Sequence, residues 1–145
     1  MKSYGQFCAV AKALDVIGDR WTLLIVRELM SRGQARYTDL KAGLPGIASN
    51  LLAERLRALE SDGLLTRTDV PPPVASTLYA LTGRGEALRP VLTEIGRWGA
   101  PLLGAASRSD EVRGYWIGLP AELYLTDGAP SEPPGSRPGP PLARP

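Results

Sequence analysis

Residues 44–65 read LPGIASNLLAERLRALESDGLL, and this stretch decides the predicted fold. It begins with the turn-forming letters LPG at 44–46 and ends with the helix-stopping pair DG at 62–63. One apolar side of a helix is indicated by the spacing of Leu52, Leu56 and Leu59. The opposite side carries small or hydrogen-bonding residues in place of a dense Glu/Lys surface: Ser49, Asn50, Ala53, Glu54 and Arg57. The surrounding elements indicate what such a side contacts.

A second short helix precedes this one. The segment YTDLKAG at 37–43 predicts a helix with Thr38 as its cap. Ala48 cannot cap the helix that follows, so either Ser49 caps it or the start of that helix shifts. Two short helices joined by a tight, glycine-containing turn form a helix-turn-helix unit.

Two further helices are predicted before the helix-turn-helix unit. Apolar residues follow helical spacing through residues 7–17, and Gly18 ends that helix. Asp19 is a natural N-cap for the next helix, which stops at Gly33. Apolar residues on two faces of this second helix predict burial on both sides: Trp21, Leu24, Ile25 and Leu29 on one, Leu23 and Val26 on the other.

The sequence changes to an alternating pattern after Gly63. The segments LLTRTDV at 64–70 and STLYALT at 76–82 alternate and are rich in strand-forming residues. Three consecutive prolines at 71–73 have no N–H to donate, so the connection is stiff. A hairpin directly after a helix-turn-helix is a wing. The predicted fold class is therefore mainly α with a small β-hairpin wing, a winged helix-turn-helix.

A long helix over residues 83–104 is predicted to follow, with Thr82 as its cap and a kink at Pro90. Its glycines weaken it, so it needs packing against a partner subunit. We expect dimerisation through the N- and C-terminal helices, with these contact residues: Leu14, Leu88, Leu92, Ile95, Trp98 and Leu102. Trp21 and Trp98 either pack in the core and the dimer contact or line an effector pocket between subunits.

Composition limits the possible functions. The 145-residue chain has a net charge of +2, one cysteine and no histidine. A single cysteine excludes a disulfide within the chain, and the lack of histidine removes the commonest general base and metal ligand. We expect no enzyme, no metal site and no cofactor. Apolar runs are too short to cross a bilayer, and the N-terminus lacks a signal-peptide pattern. A cytoplasmic location without a membrane partner is therefore expected.

The chain is predicted to divide into three parts. Residues 1–107 hold 13 basic and 10 acidic residues, a mildly positive balance that permits DNA binding. Residues 108–127 form a partly apolar extension. Residues 128–145 contain seven prolines and are expected to be disordered.

Several motifs, at consistent spacing over roughly residues 5–104, resemble one family. They are Cys8, ALDVIGDRWTLLIVREL (13–29), RYTDL (36–40), LPGI (44–47), LLAERLRALESDGLL (51–65), YALTGRGEALRPVL (79–92) and GRWG (96–99). This order resembles the HxlR-type winged-helix transcription regulators, relatives of the MarR-like group. The resemblance implies a homodimer that binds operator DNA, usually as a repressor and sometimes as an activator. It is strongest to a subgroup whose longer members carry a C-terminal sterol-carrier-like domain, of which residues 116–125 would be a vestige.

Double-stranded DNA is thus the predicted partner of the polar helix side. Asn50 would read adenine, Arg55 or Arg57 would reach guanine or phosphate, and the wing would bring Arg67 to the backbone. The full set of predicted DNA-binding residues is Arg36, Thr38, Lys41, Ser49, Asn50, Glu54, Arg57 and Arg67. The alternatives are a solvated helix face and a winged helix used for protein–protein contact without DNA.

Cys8 has two interpretations. A lone cysteine on an apolar helix is usually a small buried hydrophobe. The resemblance implies another role, because in some members the equivalent cysteine senses oxidants or electrophiles near the dimer contact. An oxidant or a small-molecule effector is accordingly a second predicted partner.

Overall fold

The computed structural model describes residues 3–104, 110 and 113–117. The helices are α1 (Ala9–Ile17), α2 (Thr22–Arg32), α3 (Tyr37–Gly43), α4 (Ser49–Ser61), α5 (Gly83–Glu86) and α6 (Arg89–Gly99). The strands are β1 (Gln34–Arg36), β2 (Leu65–Val70) and β3 (Ser76–Leu81). Two 3-10 turns cover Ala100–Leu102 and Gly114–Ile117. In this part of the chain, no helix combines the length and the apolar character needed to span a membrane.

Both predicted helices are present, but Trp21, not Asp19, occupies the N-cap position of α2, and Asp19 acts from two residues before it. Gly18 follows α1, and its N–H donates to the Leu14 carbonyl. One oxygen of Asp19 accepts the backbone N–H groups of Trp21 and Thr22 at 2.8 and 3.0 Å, together with the Thr22 hydroxyl at 3.0 Å. Asp19 therefore satisfies the otherwise unpaired donors at the start of α2.

The wing is present and has a third strand beside it. β2 and β3 pair antiparallel, with Arg67 opposite Tyr79. β1 pairs with the other edge of β3, which makes the order β1-β3-β2. β1 is a strand that the sequence pattern does not predict, because three residues are too few to show alternation.

The start of α3 differs from the prediction. Arg36, not Thr38, occupies the N-cap position, and its backbone N–H donates to Asp39 Oδ2 at 2.9 Å. Thr38 lies inside the first turn and is exposed. An acidic side chain in the first turn satisfies the helix end here.

The prediction of one long helix over residues 83–104 is wrong. This segment is broken into α5 and α6, and Pro90 is the second residue of α6, not a mid-helix kink. Proline is tolerated in a first turn because its missing N–H would have no helical partner there. Thr82 does cap α5, since its hydroxyl accepts the Gly85 N–H at 3.2 Å.

The core lies where α2, α3 and α4 meet the sheet. Its fully buried side chains come mainly from these elements and the turn between α3 and α4: Ile25, Leu29, Leu40, Leu44, Ile47, Leu52, Leu56, Leu59 and Leu65. α2 is buried on two sides, as predicted. The core thus fixes α4 by one apolar side and leaves its polar side outward.

Candidate nucleic-acid interface

The outward side of α4 is the candidate site. Ser49, Asn50, Glu54 and Arg57 are all exposed, while the leucines of the opposite side are buried. Among the described residues, Arg57 has no acidic partner. The helix therefore offers solvent a hydroxyl, an amide and an unpaired guanidinium, which are groups that bond to base edges and phosphates.

The N-terminus of α4 carries no side-chain cap. Ala48 occupies the cap position, and the helix begins at Ser49, so Ser49 does not act as the cap. Asn50 Oδ1 accepts the N–H of Leu51 at 3.0 Å. The positive end of the helix dipole lies at this N-terminus and favours an anion such as a phosphate. To read adenine bidentately, the Asn50 amide must rotate away from Leu51.

Two hydrogen bonds from α3 hold this end of α4. The Tyr37 hydroxyl donates to the carbonyl of Ser49 at 2.6 Å. The Lys41 ammonium donates to the carbonyl of Ile47 in the connecting turn. Lys41 is half-buried in this contact, so the structure places it as a support of the turn, and its phosphate contact stays a prediction.

Arg55 is not part of the exposed side. Its Nε lies 3.0 Å from Asp19 Oδ2, and 19% of its side chain is exposed. The pair is an electrostatic contact more than an aligned hydrogen bond, because the buried Nε–H has no acceptor in line. Of the two arginines predicted to reach guanine or phosphate, Arg57 is the exposed one, whereas Arg55 ties α4 to the α1–α2 junction.

The remaining predicted contacts lie at the edges of the site. Arg36 and Thr38 are exposed at the start of α3. On the wing, Arg67 Nε is 3.6 Å from Asp69 Oδ1, which also accepts the Thr77 hydroxyl at 2.7 Å. Asp69 partly offsets the charge that Arg67 would bring to a DNA backbone, so we expect a small contribution from Arg67.

Four of the six predicted dimer residues are uncovered apolar side chains in the single chain. Ile95, Trp98 and Leu102 are 48%, 79% and 74% exposed, and Leu14 on α1 is 42% exposed. A shallow groove on α6 is lined by Pro90, Val91, Glu94, Ile95 and Trp98. Leu92 is half-buried, and Leu88 packs against the core of its own chain instead. Trp21 also packs on that core.

Cys8 is exposed at the N-cap position of α1. Its neighbours Phe7 and Val10 are exposed as well, so the thiol lies within an uncovered apolar surface. The interpretation of Cys8 as a buried hydrophobe is wrong for the single chain. The N-terminal arm is held to α1 by Asp15, which accepts the Tyr4 N–H at 2.9 Å, and this hydrogen bond lowers the pKa of Asp15.

Sequence reasoning missed three supporting residues. Asp19 was recognised as a cap but not as the partner of Arg55, and Tyr37 was not recognised as a contact of α4. Glu28 went unnoticed, although it is fully buried. A charged residue between the apolar positions 26 and 29 of a two-sided buried helix is a signal that points to a buried charge with partners.

The fold and this surface define a winged helix-turn-helix protein. Comparison with known proteins identifies the group: the HxlR-like helix-turn-helix family matches residues 16–106, and the chain belongs to that family. An uncharacterized HTH-type transcriptional regulator of Bacillus subtilis, YvaP, is 39% identical over 87 residues, which are 60% of this chain and 80% of YvaP.

Two solved structures are similar to the fold. The reduced form of the transcriptional regulator YodB from Bacillus subtilis has a TM-score of 0.59 at 30% identity, and the match covers 70% of this chain and 100% of the YodB chain. The redox regulator HypR in its oxidized form has a TM-score of 0.61 at 30% identity, and the match covers 65% of this chain and 96% of the HypR chain.

Proposed function

We propose that the protein is a sequence-specific DNA-binding transcriptional regulator that acts as a homodimer. The observation that carries this proposal is the polar, outward side of α4, which is held at its N-terminal end by Tyr37 and Lys41. Membership of the HxlR-like family and the regulators among its relatives support the same function. We also propose that the protein is not an enzyme.

The dimer would form through the uncovered apolar surfaces of α1 and α6. Large exposed apolar side chains such as Trp98 favour burial against a partner. A two-fold axis would place the two α4 helices in successive major grooves, about 34 Å apart. The operator should then be palindromic, and the regulator would act most simply as a repressor that blocks a promoter.

Binding measurements test the DNA contact. Duplexes selected from a random pool would be titrated by fluorescence anisotropy over a range of salt concentrations. Arg57→Ala should weaken binding and reduce the log–log salt slope by about one unit for each phosphate that the protein no longer neutralises. Asn50→Ala should change which sequences are selected. Arg84→Ala is the matched control, because Arg84 is an exposed arginine on α5, outside the helix-turn-helix.

The rival function gives a different result. A winged helix used only for protein–protein contact would bind no duplex even at low salt. That outcome would reject the regulator, whereas equal effects of Arg57→Ala and Arg84→Ala would reject the contact of Arg57 with DNA.

We further propose that Cys8 makes the regulator responsive to oxidants. HypR, a redox regulator, shares the fold. Two exposed Cys8 thiols at the dimer contact would form an intersubunit disulfide, and hydrogen peroxide would accept their two electrons and two protons to give two waters. Treated wild-type protein should run as a covalent dimer on a non-reducing gel and change its DNA affinity, whereas Cys8→Ser should do neither. A DNA response that survives in Cys8→Ser would reject this role.

A further inference from the structure

A buried carboxylate on α2 is the feature that the proposed DNA contact does not use. The Glu28 side chain is 0% exposed. Two donors come from its own helix, Arg27 Nη2 at 3.2 Å and Arg32 Nε at 3.4 Å. Two more come from the 3-10 turn near residue 115: the Tyr115 hydroxyl at 2.8 Å and Trp116 Nε1 at 2.6 Å. A buried carboxylate is costly unless paired and hydrogen-bonded, so these four donors form a built site.

The aromatic rings of the same turn lie on the arginines that flank Glu28. The Arg27 guanidinium carbon is 4.4 Å from the centroid of Trp116, and that of Arg32 is 5.5 Å from the centroid of Tyr115. Both distances are within the range of cation–π attraction. Each aromatic residue therefore contacts α2 twice, by its polar group on the carboxylate and by its ring on a guanidinium.

The site also reaches the helix-turn-helix. A Cβ atom added to Gly43, at the end of α3, would lie 2.2 Å from Glu28 Oε2 and 3.3 Å from the Tyr115 hydroxyl oxygen. Only a residue without a side chain lets α3 approach the carboxylate so closely. Glu28 is thus enclosed between α2, the end of α3 and the turn that carries Tyr115.

We propose that Glu28, Arg27 and Arg32 form a docking site for the chain's own C-terminal turn, residues 113–117, and that the docked turn holds α3 against α2 so that α4 is presented to DNA. The turn lies outside the family match, which ends at residue 106. The effect on DNA rests on the proposed function, whereas docking itself does not. Tyr115 and Trp116 are positioning residues in this scheme.

Trypsin cleavage of the full-length chain after Arg113 measures docking directly. The Arg113 guanidinium lies 5.7 Å from the Trp116 ring, so a docked turn should protect this bond. Trp116→Phe and Tyr115→Phe each keep a ring and remove one donor to the carboxylate. Loss of one hydrogen bond to a charged group should raise the cleavage rate about ten-fold or more. Tyr4→Phe, which removes a hydroxyl from an exposed ring, should leave the rate unchanged.

A double mutant shows whether Glu28 is the receptor. If Trp116 acts through Glu28, then Trp116→Phe should add little to the cleavage rate of Glu28→Gln, and the two effects will not be additive. Should Glu28→Gln not fold, the two aromatic variants still decide the question. Equal cleavage rates in wild type, Trp116→Phe and Tyr115→Phe would overturn docking.

DNA binding of the same variants tests the positioning effect. Trp116→Phe should weaken binding to a selected duplex by about two-fold to thirty-fold. The salt slope should not change, because every phosphate-binding side chain is still present. Faster cleavage with unaltered DNA affinity would overturn positioning and leave docking standing. If the wild-type protein binds no DNA, the proposed function fails. The cleavage rates after Arg113 then still test whether the turn docks on Glu28.

Discussion

Replacing Asp19 by alanine should destabilise the chain by about 3 kcal/mol. One oxygen of Asp19 accepts three hydrogen bonds at the start of α2, and loss of such a cap costs about 1 kcal/mol. The other oxygen faces Arg55, and the side chains of this pair are 19% and 15% exposed. A fully buried pair costs about 3–5 kcal/mol to break and an exposed pair about 0–1 kcal/mol, so about 2 kcal/mol is expected here.

Asp19→Asn separates the two parts of this effect. The amide oxygen can still accept the hydrogen bonds at the start of α2, but the charge opposite Arg55 is lost. Asp19→Asn should therefore cost about 2 kcal/mol, less than Asp19→Ala. Asp62→Asn, a change at an exposed acid after α4, should be close to neutral.

Urea unfolding at a fixed chain concentration is the assay, because the proposed dimerisation would make stability depend on concentration. For a domain of about 100 residues, 3 kcal/mol corresponds to a fall of roughly 12–24 °C in Tm. A cost below about 0.5 kcal/mol for Asp19→Ala would show that the capped, paired carboxylate adds no more than an ordinary surface residue. The inferred link between α4 and the α1–α2 junction would then be rejected.

Two substitutions and one titration test other parts of the structure. Gly43→Ala should destabilise by about 1–3 kcal/mol in urea unfolding, because the new Cβ would overlap the buried Glu28 carboxylate; full stability would show that this carboxylate can move. Trp98→Ser should weaken the proposed dimer about thirty-fold or more by sedimentation equilibrium, and unchanged association would place the interface elsewhere. The hydrogen bond from the Tyr4 N–H lowers the pKa of Asp15, so an NMR titration should give a value below the unfolded reference of about 3.9. This hydrogen bond stabilises the N-terminal arm above that pH, and its stabilisation disappears as the pH falls through the folded pKa; a titration at or above 3.9 would contradict it.

Local patterns were enough to predict most of the fold. The leucine spacing in α4, the prolines at 71–73 and the caps Asp19 and Thr82 act over a few residues, so they can be read directly. The errors were of another kind. β1 exists because β3 offers it an edge, and Arg36 rather than Thr38 is the N-cap of α3 because Asp39 accepts the N–H of Arg36.

The candidate site was predicted only in part. Its exposed side on α4 follows from helical spacing, since residues opposite a leucine stripe must face outward. Which charges remain available for DNA does not follow from spacing. Arg55 and Arg57 are two residues apart, yet one pairs with Asp19 and the other faces solvent. The predicted domain boundary at 107/108 and the tail at 128–145 lie outside the described residues. Of the predicted extension at 108–127, only residues 110 and 113–117 are described.

The sequence by itself determined the helix-turn-helix, the wing and the polar side of α4, because periodicity and turn signals depend on neighbours along the chain. Only the tertiary structure decided the partners of Arg55, Lys41 and Glu28. The Glu28 carboxylate meets Trp116 across 88 positions of sequence. Such distant residues come into contact only when the chain has folded, and the spacing of residues along the sequence does not show which of them will meet.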